Sequence, residues 1–146
     1  MITLLDLSTI VNRLKTECPL LQNRVFETVA NNDAALEFYG SPAAFVYLAN
    51  DASEPNVILA GLVQAHANGI AIKLSQRKTQ TLADHTNASD AQQLRLLRQQ
   101  VLTAVLGFKP AGAEKMLEHV SGELTETDRY LVWTDTVSTQ DYLNNT

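Results

Sequence analysis

The sequence predicts an α+β domain in which a mainly antiparallel mixed sheet, built from hairpins, carries two main helices packed on one face. Three observations support this fold class. Two stretches place apolar residues at helical spacing, several short runs are rich in β-branched residues, and polar turn sequences separate those runs. The chain has 146 residues, no internal repeat and no linker-like segment. A single domain over residues 1–146 is therefore expected.

The first element is predicted to be a helix of about three turns. Its apolar residues form one stripe: Leu7, Ile10, Val11, Leu14 and Cys18. Thr3 and Asp6 resemble a capping box, with Ser8 and Thr9 as alternative caps. Pro19 ends the helix, and Cys18 is interpreted as a small buried hydrophobe rather than a nucleophile.

Two strands are predicted next, at Arg24–Ala30 and Ala43–Leu48, because both runs are rich in β-prone residues. Between them, Asp33 can cap a single helical turn that Gly40 ends. The second strand is apolar on both faces, so we expect it to be covered above and below. The polar segment Asn50–Asn56 is predicted to be a surface loop.

Asn68 and Gly69 are the strongest local turn signal in the chain. They separate two alternating runs, and Asn-Gly is the preferred sequence of a type I′ hairpin turn. A two-residue loop there keeps the apolar side chains of both strands on one face. Lys73, Ser75 and Arg77 then line the polar face of the outgoing strand.

The main helix is predicted to begin at a cap formed by Asn87 or Ser89 and to end near Leu106, where Gly107 is placed as the C-terminal cap. The residues predicted to face the core are Ala91, Leu94, Leu97, Val101 and Val105. The polar residues predicted to cover the opposite side are Arg95, Arg98, Gln99 and Gln100.

A second hairpin is predicted in the last third of the chain. Lys115–Leu124 and Arg129–Thr139 flank the polar turn Thr125–Asp128. A four-residue turn sets Val120 opposite Trp133, which buries the only tryptophan against aliphatic neighbours.

The composition argues against several classes of protein. The net charge is −5, with eleven Lys and Arg against sixteen Asp and Glu, and no basic stripe suited to gripping nucleic acid is visible. The longest apolar stretch, around Ala43–Ala49, is far shorter than the roughly 20 residues of a membrane span. Met1–Asp6 has no basic region typical of a signal peptide. We therefore expect a soluble protein of a reducing compartment that does not contact membranes.

The sequence contains few residue patterns that indicate catalysis or metal binding. A single cysteine excludes an intramolecular disulfide, and the three histidines have no metal-ligand spacing. No nucleophile elbow and no phosphate-binding glycine loop is present. Asp84 and His85 are interpreted as part of a solvated loop rather than as an acid–base pair. The sequence thus predicts no enzyme, no metal and no cofactor.

Several stretches occur in an order that resembles a known family. They are Glu17-Cys18-Pro19, Arg24-Val25, Pro42–Tyr47, Ile70–Arg77, Leu94–Leu106 with Gly107–Pro110, Ser121–Leu124 and Tyr130–Thr139. Taken together, over nearly the whole chain, they are similar to the tail terminators of long-tailed bacteriophages, also called tail-completion or minor tail proteins.

The resemblance implies a structural role. Such proteins assemble as a hexameric ring on the finished tail tube, stop its polymerisation and form the joint to the head connector. The implied partners are further copies of the chain, the tube protein and the head–tail connector protein, and DNA passes through the lumen without sequence-specific binding. The implied location is the virion tail, with the host cytoplasm as the place of assembly.

Two polar segments are expected to reach neighbouring subunits or the tube, namely Gln76–Asp90 and Asn50–Asn56. The candidate interface residues are Lys73, Arg77, Asp84, His85, Asp51 and Glu54. Two alternatives stay open at this point. A neck or head-completion protein has the same ring geometry, and a small cytoplasmic hydrolase would need a pocket around His85 or His119.

Overall fold

The computed structural model describes residues 2–29, 36, 39–56, 61–79 and 88–145. The helical elements are α1 (Ser8–Glu17), a 3-10 turn (Pro19–Leu21) and α2 (Ala88–Val105). The strands are β1 (Val25–Glu27), β2 (Ala43–Ser53), β3 (Leu62–Arg77), β4 (Glu118–Glu126) and β5 (Tyr130–Asn145). The predicted α+β class is confirmed. The helical turn predicted after Asp33 falls mostly outside the described residues.

Within the described part of the chain the strands form one mixed sheet in the order β1-β2-β3-β5-β4. β1 runs parallel to β2, and every other neighbouring pair is antiparallel. The two long strands, β3 and β5, pair along their full length in the middle of the sheet. This places β1 at one edge and β4 at the other.

Both faces of the sheet carry apolar cores. On one face α1 and α2 pack against alternate residues of the central strands, among them Ala44, Val46, Ile70, Ile72, Leu74 and Val137. The opposite face holds a smaller cluster of Leu36, Ala43, Phe45, Tyr130 and Val132 with Phe26 packed against it. The prediction that the second strand is covered on both sides is confirmed for Ala43–Tyr47, whereas β2 is exposed from Leu48 onward. The prediction that Cys18 is buried is confirmed.

The hairpin predicted at Asn68 and Gly69 is wrong. β3 continues through both residues, and Asn68 lies opposite Asp51 of β2 and Thr139 of β5. Neither residue has the positive φ that a type I′ turn requires. Pairing with a strand on each side outweighs the local turn preference. A Cβ at Gly69 would stand 2.4 Å from Asn50 Oδ1, so a side chain at this position would require that of Asn50 to move.

The C-terminal hairpin is confirmed, but its predicted register and turn are wrong. Leu124, not Val120, lies opposite Trp133. The Thr127 amide donates to the Tyr130 carbonyl, and the Tyr130 amide donates to Thr127 Oγ1, so the loop is shorter than predicted. A β-bulge between the paired residues His119 and Ser121 shifts the register again.

The ends of several elements also differ from the prediction. β1 is shorter than Arg24–Ala30, whereas β2 extends to Ser53, so part of the predicted loop Asn50–Asn56 is strand. Its pairing with β3 explains this extension. α1 has no side-chain cap at Leu7; instead the Ser8 amide donates to Asp6 Oδ1, in place of the predicted capping box.

The loop after α2 anchors the N-terminal segment. The Asp6 amide donates to the Ala111 carbonyl at 3.1 Å, and the Ala111 amide donates to Thr9 Oγ1 at 3.2 Å. Gly112 has φ +87° and lies so close to Leu4 that a Cβ would stand 2.8 Å from its carbonyl oxygen. Only glycine fits both constraints. Gly107, the predicted C-terminal cap of α2, also has positive φ but open space around it.

We expect Gly112→Ala to lower the free energy of unfolding by about 2–3 kcal/mol, because it adds a backbone clash to the cost of a positive φ. Gly107→Ala is the matched control, and about 1 kcal/mol is expected there from the backbone conformation alone. Urea denaturation of both variants measures the difference. Equal losses would show that the contact with Leu4 does not constrain the fold.

Candidate assembly surface

β4 is an exposed edge strand. It pairs with β5 on one side, and all nine of its residues are exposed. Three large apolar side chains on the strand or just before it are exposed to solvent: Met116, Val120 and Leu124. Glu118, Glu123 and Glu126 make the strand acidic. An edge strand with exposed apolar residues is a ready template for association with another chain, so β4 is the candidate assembly surface.

A buried carboxylate lies beside β4 and ties it to the helices. Asp135 of β5 is 1% exposed and accepts hydrogen bonds from Arg98, the shortest at 2.8 Å from Nη2 and 2.9 Å from Nε. His119 Nε2 of β4 donates to the same carboxylate at 2.9 Å. The Arg98 guanidinium also lies 4.2 Å from the centre of the Trp133 ring. One acid thus connects α2, β4 and β5.

The hydrogen bonds with Asp135 raise the pKa of Arg98, so this guanidinium stays charged. The prediction that Arg98 covers the solvent side of α2 is wrong, because the residue turns toward the sheet to neutralise a buried acid. Trp133 is half-buried beneath that guanidinium rather than enclosed by aliphatic side chains. Gly122 lies opposite Asp135, and a Cβ there would stand 2.6 Å from Asp135 Oδ1 and 2.7 Å from Arg98 Nη2. The glycine makes room for the ion pair.

Arg98→Ala is expected to lower the free energy of unfolding by about 3 kcal/mol, because it leaves the buried Asp135 carboxylate without its main partner. Arg95→Ala, three residues away on the exposed side of the same helix, is expected to change it by no more than about 0.5 kcal/mol. Chemical denaturation of the two variants tests this. Similar small effects would contradict the assigned role of the ion pair.

A second polar cluster lies at the other end of β3. His66 Nδ1 lies 2.7 Å from Asp141 Oδ1, and Nε2 lies 2.9 Å from Asp51 Oδ2. Asn68 Nδ2 donates to the same Asp141 oxygen at 3.2 Å. Because ionised carboxylates only accept hydrogen bonds, this arrangement requires both ring nitrogens to donate, and it therefore favours the imidazolium form of His66. This cation joins the ends of β2, β3 and β5.

Burial lowers the pKa of His66, but the hydrogen bonds to Asp51 and Asp141 outweigh it and the net pKa is raised above its ordinary value of 6.5. The stabilisation is complete below 6.5 and is lost as the pH rises through the raised pKa. We expect the free-energy difference between the wild type and His66→Gln to be largest in weak acid and to shrink as the pH rises from 6.5 into the weakly alkaline range. Urea denaturation across this range measures it.

Glu54→Gln serves as the control, since it removes an exposed acid near the same strand end without touching His66. Its pH dependence should match that of the wild type, and Asp51→Asn should weaken the dependence. A constant difference between the wild type and His66→Gln across the range would show that His66 is not held as a cation.

The described residues that were predicted to form an interface lie at several different places in the structure. Asp51 and Arg77 are exposed, and so is Glu54, whose amide donates to the Ala65 carbonyl. Lys73 is 3% exposed, so its predicted position on a solvated polar face is wrong. It lies in the middle of β3, where β2 and β5 flank it. The interface roles themselves stay predictions.

Asp84 and His85 lie outside the described residues, as does most of the segment Gln76–Asp90. The last residue of that segment is held by hydrogen bonds within the chain. Asp90 is buried and accepts hydrogen bonds from the Thr79 amide and hydroxyl, at 2.9 Å and 3.0 Å.

The two carboxylate clusters were not predicted from the sequence, although the positions of their acids on β5 contain a signal for them. Asp135 and Asp141 occupy the same alternating positions of β5 as the buried Val137. An acid on the core face of a strand predicts a buried partner. Which cation meets it depends on the tertiary arrangement.

Among the residues that the structure describes, no group of three His, Cys, Asp or Glu side chains is arranged to hold a metal ion. In the same residues no helix combines the length and the apolar character needed to cross a membrane.

Comparison with known proteins identifies the family of the chain. The profile of the phage tail terminator protein family matches residues 1–145. The chain belongs to this family. A solved structure titled "Virion of native gene transfer agent (GTA) particle" contains a similar chain, with a TM-score of 0.55 and 10% identity over 93% of this chain and 95% of that one. At this identity the likeness shows a shared fold. A comparison with curated proteins gives no significant match.

Membership of the tail terminator family makes the protein a structural component of a bacteriophage tail and of the virion. A component of this kind assembles with other tail or head components. The carboxylate of Asp135 binds Arg98 of α2, and that of Asp141 lies against His66 of β3. Both carboxylates therefore hold elements of the fold together, which suits a structural component.

Proposed function

We propose that this tail terminator caps the tail tube as a hexameric ring, ends tube polymerisation and forms the joint to the head connector. The match of the family over residues 1–145 carries the proposal. Its partners are further copies of the chain, the tube protein and the connector protein. The protein acts by shape, without catalysis, cofactor or membrane, and it assembles in the host cytoplasm.

A closed ring of identical subunits needs two different surfaces on each subunit, so that the contact repeats head to tail around the axis. The sheet supplies this asymmetry. Its edges are unlike, with the three-residue strand β1 at one side and the nine-residue strand β4 at the other. Contacts that are weak one at a time gain strength when the ring closes. A subunit that assembles only on a finished tube is consistent with this.

The charge of the chain supports passage of DNA without binding. The net charge is −5, and a surface that grips DNA would need a dense basic stripe. In the proposed ring the duplex moves through the lumen without sequence-specific contacts.

Deleting the gene for this protein is expected to give tails of variable and excessive length and filled heads without tails, because nothing stops the tube or joins it. Electron microscopy of lysates measures the length distribution, and expression of the chain from a plasmid is the control that should restore it. Tails of normal length attached to heads would refute the proposal. Detection of the protein on isolated headless tails distinguishes a terminator from a neck protein, which would remain with the heads.

A further inference from the structure

Asn68 and Gly69 form the only Asn-Gly sequence in the chain. In a flexible chain this dipeptide is chemically reactive, because a glycine has no side chain to crowd its backbone nitrogen. The Gly69 nitrogen attacks Asn68 Cγ and forms a new N–C bond. The bond from Cγ to Nδ2 breaks, and ammonia leaves with the former amide proton. Water then opens the resulting succinimide ring at either carbonyl and gives aspartate or isoaspartate.

The fold opposes this reaction at Asn68. The residue lies inside β3, opposite Asp51 of β2 on one side and Thr139 of β5 on the other. Its side chain is 3% exposed, and Nδ2 donates to Asp141 Oδ1 at 3.2 Å. Ring closure requires rotation about the backbone and side-chain bonds of Asn68. Pairing on both sides and the bond to Asp141 restrict both rotations.

An aspartate at position 68 would be incompatible with its surroundings. It would stand directly opposite Asp51, and like charges in directly opposed strand positions destabilise the pair. It would also take a donor away from Asp141, whose Oδ2 is buried and has no hydrogen-bond partner among the described residues. Three carboxylates would then surround one cation, His66. An uncompensated buried charge is strongly destabilising.

An isoaspartate at this position would change the backbone itself. The main chain would then run through the former side-chain carbon and gain one atom in the middle of β3. β3 pairs with β2 and with β5, so the added atom would put the residues beyond it out of step with both neighbours. A change in register turns side chains to the wrong face of a sheet.

We propose that Asn68 is a spontaneous deamidation site of the unfolded chain, that pairing of β3 with β2 and β5 protects it, and that a chain converted before it folds cannot form the native sheet. The inference goes beyond the proposed function and does not depend on it. It sets a time limit on how long an unfolded chain can still supply a subunit.

The first test measures the reaction in the full-length chain. One sample is held unfolded in urea and another folded in buffer, at the same mildly alkaline pH and temperature. Peptide mapping by mass spectrometry follows conversion at Asn68. We expect conversion in buffer to be at least about tenfold slower, since only transiently open chains can react. In urea, Gly69→Ala is the control and should react at least about fivefold more slowly, because its methyl group crowds the attacking nitrogen.

The second test measures the consequence for the fold. The urea midpoint of Asn68→Asp is expected to fall by roughly 1 M, or the variant fails to fold, because the new carboxylate is buried beside two others. Asn12→Asp is the matched control, since it makes the same change on the exposed side of α1. Its midpoint should stay close to that of the wild type.

Refolding of the aged chain links the two tests. When the wild type is diluted from urea after long storage, the chains that regain the native fold should retain Asn68. The chains that fail should be enriched in aspartate and isoaspartate at this position. Equal conversion in urea and in buffer would overturn the proposed protection. A normal midpoint for Asn68→Asp, together with converted chains in the refolded fraction, would overturn the proposed effect on the fold.

Discussion

The pairing of β3 with β5 along sixteen residues is the constraint on which the rest of the structure depends. A ladder of this length fixes which residues of both strands face the helices, since a shift by one residue would turn every side chain to the other face. It holds Ile70, Ile72 and Val137 beneath α1 and α2. It also fixes β4, which joins the sheet through its pairing with β5 alone in the described part of the chain.

The same ladder brings charged groups into the interior. Asp135 and Asp141 lie on the helix-facing side of β5, where an unpaired carboxylate would be very costly. Each is met by a cation from another element, Arg98 of α2 in one case and His66 of β3 in the other. Each of these bonds joins one carboxylate to one particular cation, so it adds to the register constraint that the apolar packing already imposes. The two ion pairs therefore specify the arrangement as much as they stabilise it.

The subunit is asymmetric in a way that suits assembly. Its helices pack on the β1 side and the middle of the sheet, and β4 remains exposed along its whole length. Arg98 and His119 both bond to Asp135, and this anchoring holds the β4 edge in place although the strand itself contributes no residue to the core. A stiff exposed edge loses little conformational freedom when a partner covers it.

The sequence alone determined the two main helices, the buried first half of β2 and the presence of the C-terminal hairpin. Local spacing controls all of these, because an amphipathic pattern of period 3.6 or 2 has one stable way to bury its apolar side. The resemblance to tail terminators followed from the order of short stretches. Only the tertiary structure decided that Asn68 and Gly69 lie inside a strand, that Leu124 faces Trp133, and that Arg98 turns inward. In each case contacts with residues distant in the sequence outweigh a local preference, and no local pattern records which distant residue will supply them.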